Sequence, residues 1–72
     1  MVICYKKLWK LLIDKDLKKK ALISLAGISQ SSLTKMGKNQ NVNTDILVRI
    51  CTALDCQIGD IVELVPDHAH DE

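Results

Sequence analysis

Between Gln30 and Lys38 the chain carries an amide, hydroxyls and amines at a spacing that gathers Gln30, Ser31, Thr34, Lys35 and Lys38 on the outer side of a helix. Residues three and four apart on a helix are surface neighbours. A slim helix with such small polar heads, set at an angle by a partner helix, has the shape that enters the major groove of DNA. Two other groups of residues hold reactive atoms. Cys51 and Cys56 are five apart with no histidine near them, which is not zinc-site spacing, so both read as core or core-edge thiols. His68 and His70 stand among Asp67, Asp71 and Glu72, where a loose hold on a transition metal competes with the plainer reading of a solvated terminus. No metal and no cofactor is expected.

The polar strip needs a turn and a second helix to present it. Leu22, Ala26, Ile28, Leu33 and Met36 recur at the spacing of residues that point inward from two short helices. Gly27 falls between them, where a tight turn needs a backbone with positive φ. Ser29 precedes the second stretch and can cap its free N–H groups. Lys18-Lys19-Lys20 opens the first of the two helices, although a helix N-terminus carries partial positive charge and favours acids. A local rule broken without structural gain points to function.

The flanking chain completes a small core. Val2-Ile3-Cys4-Tyr5 and Val62-Glu63-Leu64-Val65 are apolar and β-prone, which predicts a short pairing of the two ends. Lys6 to Lys15 is a helix with Leu8, Leu11 and Leu12 on one side; Trp9 and Ile13 widen its apolar surface, Trp9 covering the core edge. In the polar loop 37–42, Gly37 or Asn39 ends the preceding helix in the left-handed conformation. Asn43 or Thr44 caps the next helix, whose buried face is Ile46, Leu47, Ile50, Ala53 and Leu54, with Val48 outward beside Arg49 and Thr52. Ile58 to Val62 forms about one further helical turn. The domain is expected over residues 1–66, followed by a disordered acidic tail over 67–72.

The stretch Lys19–Lys38 resembles the helix-turn-helix of the phage-repressor/Cro (XRE-type) family of transcriptional regulators. The later segment Asn43–Ile61 is similar, in register, to that family's fourth and fifth helices, and no insertion or deletion is needed between Leu17 and Ile61. The resemblance implies an all-α, lambda-repressor-like bundle of five short helices that binds double-stranded operator DNA in bacteria or phage. Under it, base reading falls to Gln30, Ser31, Thr34 and Lys35. Phosphate contact falls to Lys18, Lys19, Lys20, Ser29, Lys38, Asn39 and Asn41, lysine serving as a flexible point charge. The chain departs from the family pattern at Lys18, where a capping Ser or Thr is usual, at Lys19 for a phosphate-binding Gln, at Ile23 for Ala and at Asn39 for Gly. Family members commonly pair on a two-fold site, so a homodimer is expected, at least on DNA. It would use Val48, Ile58, Ile61 and Val62, or strand pairing at the termini.

Composition agrees. Seventy-two residues make one domain. Residues 1–38 hold nine lysines against Asp14 and Asp16, a net +7, while residues 39–72 hold Arg49 against seven acids, a net −6, so the formal +1 conceals a polarity suited to a polyanion. Three cysteines make no even disulfide framework, and no signal peptide or membrane span is read, which fits a reducing cytoplasm. An enzyme is not expected: there is no glycine-rich phosphate cradle, no paired-carboxylate cleft and no Ser/His/Asp arrangement outside the tail, and no small-molecule substrate is assigned. Two rivals remain. One is a protein-interaction module, an antitoxin or anti-repressor that keeps the fold without DNA affinity. The other is a metal- or redox-responsive regulator using His68, His70 and the cysteines.

Overall fold

The computed structural model describes residues 1–67. Strand β1 (Val2–Cys4) leads into four α-helices, α1 (Lys6–Asp14), α2 (Ala21–Ala26), α3 (Gln30–Gly37) and α4 (Thr44–Leu54), then a 3₁₀ turn (Ile58–Asp60) and strand β2 (Glu63–Val65). The strands pair antiparallel, Val2 opposite Val65, Ile3 opposite Leu64 and Cys4 opposite Glu63. A lone two-stranded sheet is marginal in water. This one is anchored because Cys4 is buried and Ile3 and Val62 pack on the helical core. The terminal ammonium of Met1 pairs with the Asp67 carboxylate at 3.1 Å.

Three of the helices end alike. Asp16, Asn39 and Asp55 adopt positive φ (59°, 56° and 53°). The next residue then donates its N–H back over the last turn: Leu17 to the Leu12 carbonyl, Gln40 to Lys35 and Cys56 to Cys51. This is the 6→1 bond of a Schellman ending, which satisfies a carbonyl the helix leaves open. Asn39 rather than Gly37 supplies the left-handed residue after α3, and Gly37 stays within the helix.

The core draws on every helix, with Tyr5, Leu8, Leu12, Leu22, Met36 and Ile50 fully buried, and no charged group lies within it among the described residues. Four sequence-based expectations are corrected. Among the described residues there are four α-helices, not five, because Ile61 is drawn into the core and β2 starts two residues later, leaving room for a single 3₁₀ turn after Asp55. Ala53 is exposed: α4 turns Leu47, Ile50 and Leu54 inward, and the short Ala53 side chain remains on the rim beside α2. Ile13 faces solvent instead of extending the packed side of α1, whereas Trp9 covers the core edge as expected. Finally, α2 begins at Ala21, and the three lysines form the tight turn before it, their carbonyls accepting the N–H groups of Ala21, Leu22 and Ile23. No described helix is long and apolar enough to cross a membrane. His68, His70 and the remainder of the tail expected over 67–72 lie outside the described residues.

Candidate nucleic-acid interface

The geometry of the polar strip is set at Gly27. Its φ of +68° reverses the chain at the end of α2, a conformation that strains any residue with a Cβ. Ile28 then buries itself, and Ser29 caps α3, its Oγ accepting the Ser32 N–H at 3.1 Å. Leu33 and Met36 plug α3 into the core. Because these anchors occupy one side of the helix, Gln30, Ser31, Thr34 and Lys35 are left on the other, all exposed.

Two of these side chains are coupled. Thr34 Oγ1 donates to the Gln30 carbonyl at 3.0 Å, and Gln30 Nε2 donates to Thr34 Oγ1 at 3.4 Å. The amide of Gln30 is thereby laid along the helix toward Thr34, which reduces the side-chain freedom a ligand would have to freeze. Lys35 lies in the last turn, where the helix dipole favours a cation.

The residues assigned to phosphate fall in three places. Lys18, Lys19 and Lys20 are exposed on the turn before α2, and the Lys19 ammonium lies 4.4 Å from the centroid of the Trp9 ring. Ser29 and Lys38 bracket α3 as its caps. Asn39 and Asn41 lie on the α3–α4 loop, Asn41 exposed and Asn39 half-buried with its Oδ1 accepting the Tyr5 N–H at 3.3 Å. Tyr5 also fixes this loop through its own hydroxyl, which donates to the Gln40 carbonyl at 2.8 Å. Two apolar-anchored short helices, a left-handed glycine between them and an outward polar strip on the second make a helix-turn-helix. Residues 7–67 match the family model of the Cro/C1-type HTH DNA-binding domain. The chain belongs to that family.

The solved structure of the transcriptional regulator VanUg is similar to this chain, with a TM-score of 0.89 and 48% identity over 92% of this chain and 88% of that one. No match was found among curated proteins.

Within this Cro/C1-type domain the four residues named for pairing do not share a surface. Val48 and Ile58 are exposed and Val62 is half-buried, but Ile61 is 0% exposed and belongs to the core. The chain leaves the 3₁₀ turn at Ile61, so Ile58 stays outward while Ile61 turns into the core.

The lysines also divide. Lys7 donates to the Gly59 carbonyl at 3.0 Å, and with Lys10 it borders a cleft shared with Asp14 and Asp60. The positive half of the sequence is therefore not one face of the molecule: Lys7 and Lys10 belong with the 3₁₀ turn.

Sequence reasoning missed one supporting residue. Arg49 donates through Nη1 to the Gly27 carbonyl at 3.4 Å and through Nε to Asp45 Oδ2 at 2.9 Å, so α4 braces the turn of the motif. The four-residue spacing of Asp45 and Arg49 was the available signal. Leu25 was likewise overlooked; half-exposed, it lies beside Val48 and Ala53 along a shallow groove of about 250 Å³ between α2 and α4. The Cys51 thiol is pushed up to about 11 by burial and by the nearby Cys56 and Asp60. Among the described residues no group of three or more His, Cys, Asp or Glu could hold a metal ion.

Proposed function

We propose that this chain is a small transcriptional regulator that binds double-stranded operator DNA with α3 in the major groove. The observation that carries this reading is the division of α3 into a side buried through Leu33 and Met36 and a side exposed through Gln30, Ser31, Thr34 and Lys35. Gln30 suits adenine N6 and N7, Ser31 and Thr34 accept several bases, and Lys35 reaches guanine. With no arginine on the strip, discrimination per half-site is modest. Lys18, Lys19, Lys20, Ser29, Lys38, Asn39 and Asn41 meet phosphate and fix the register without reading sequence. Two copies bind together, at least on DNA, on half-sites roughly 34 Å apart.

Selection of bound sequences from random duplex DNA tests the proposal. The expected result is an enriched site with two-fold symmetry, bound with an affinity that falls steeply as salt rises, as neutralising about five phosphates per protomer requires. Absence of any salt-sensitive retention of duplex DNA at low ionic strength would refute it and would favour a protein-interaction module on the same fold.

A further inference from the structure

Cys51 and Cys56 are brought together by the way α4 ends. Asp55 takes φ 53°, and the Cys56 N–H bonds to the Cys51 carbonyl at 3.0 Å. In a Schellman ending these two positions frequently pack their side chains against each other. Here both side chains are cysteines, both are half-buried, and the nearness of Cys56 is among the causes that push the Cys51 thiol up. A disulfide needs two α-carbons within about 7 Å and sulfurs that can close to about 2.05 Å, and the backbone bond from Cys56 to the Cys51 carbonyl folds the two residues back toward each other.

We infer that Cys51 and Cys56 form a redox pair, which closes into an intramolecular disulfide on meeting a low-molecular-weight disulfide. Cys56 borders the open cleft with Lys7, Lys10 and Asp60, and its thiolate attacks one sulfur of the oxidant, releasing one thiolate that takes up a proton. Cys51 then loses its proton and attacks the Cys56 sulfur of the mixed disulfide, expelling the second thiol. Two cysteine thiols and one external disulfide become one internal disulfide and two external thiols, with two electrons passing to the oxidant. Cys51 acts second because burial and its acidic neighbour hold its proton. The closing step therefore speeds up as pH rises. The product staples the end of α4 to the segment that carries the 3₁₀ turn, and it leaves the outward strip of α3 untouched.

The test is incubation of the full chain with oxidised glutathione, alkylation of remaining thiols under denaturing conditions, and tryptic mass spectrometry. Cleavage after Arg49 leaves both cysteines on one peptide, residues 50–72, and Cys4 on another. The expected result is a 50–72 peptide that has lost two hydrogens and takes no alkyl label, with Cys4 labelled. In Cys51→Ser the same treatment stops at glutathione held on Cys56. A wild-type 50–72 peptide alkylated at both cysteines, one retaining glutathione, or a Cys56 disulfide between two chains would overturn the pair.

Discussion

Replacing Tyr5 with Phe isolates a single hydrogen bond on which the loop after α3 depends. The ring is fully buried and is kept by Phe, so the substitution removes only the hydroxyl that donates to the Gln40 carbonyl at 2.8 Å. A typical intramolecular hydrogen bond contributes about 0.5–1.5 kcal/mol net. Gln40 is exposed, so water can replace the lost donor, which puts the expected cost in the lower half, about 0.5–1 kcal/mol. For a chain of this size that is a melting midpoint lower by about 2–8 °C. Urea unfolding followed by the single tryptophan, Trp9, measures it directly. The pH dependence carries a second test. An unfolded tyrosine ionises near pH 10, and burial raises the Tyr5 phenol above that value. The folded chain thus keeps a proton that the unfolded chain releases, so the stability this group contributes is complete below pH 10 and falls away as pH rises from there through the folded value. The gap between wild type and Tyr5→Phe should shrink over that range, and phenolate absorbance reports the one tyrosine alone. A loss above about 2 kcal/mol at neutral pH would mean that the carbonyl is left unsatisfied, and a gap that widens above pH 10 would refute the assigned sign.

Lys19→Ala should weaken every DNA sequence alike and flatten the salt slope by about one unit. The same change uncovers the Trp9 ring, so the tryptophan emission of the free protein should shift; an unchanged spectrum would deny the stacked contact. Ser29→Ala should cost about 0.5–2 kcal/mol in urea unfolding through loss of the α3 cap, whereas Ser29→Gly should cost only a few tenths. Ile61→Ala should cost about 2–5 kcal/mol at all protein concentrations, a large part of the stability expected for 72 residues. Val48→Asp should leave monomer stability nearly intact and, where Val48 meets a second copy on DNA, reduce two-fold occupancy in sedimentation of the complex.

What the sequence made legible was local. Gly27, the Ser29 cap, the inward run from Leu22 to Met36 and the outward Gln30 and Thr34 all follow from periodicity and turn chemistry within one or two turns of helix. The paired termini were legible too, since two β-prone segments had no helical partner to serve. What escaped required knowledge of where the chain goes next. Ile61 shares a helical face with Ile58 only while a helix lasts, and the turn ends first. The left-handed Asp16 and Asp55 gave no warning, because aspartate, unlike glycine, visits positive φ only occasionally. Lys7 and Lys10 looked like companions of Lys18–Lys20 until the 3₁₀ turn, fifty residues on, folded beside them. The four-residue spacing of Asp45 and Arg49 announces their ion pair but not the hold of Arg49 on Gly27, which spans the gap between α4 and the motif.

Base pairs, on the proposed function, are read by the outward face of α3, led by Gln30. The most direct test of this reading compares Gln30→Ala with wild type on the selected operator and on random duplex DNA under one salt condition. Gln30→Ala is expected to lose about 1–3 kcal/mol on the operator and to change little on random DNA. Equal losses on both would contradict it, because a residue that affects all sequences alike is positioning the helix and not reading through it.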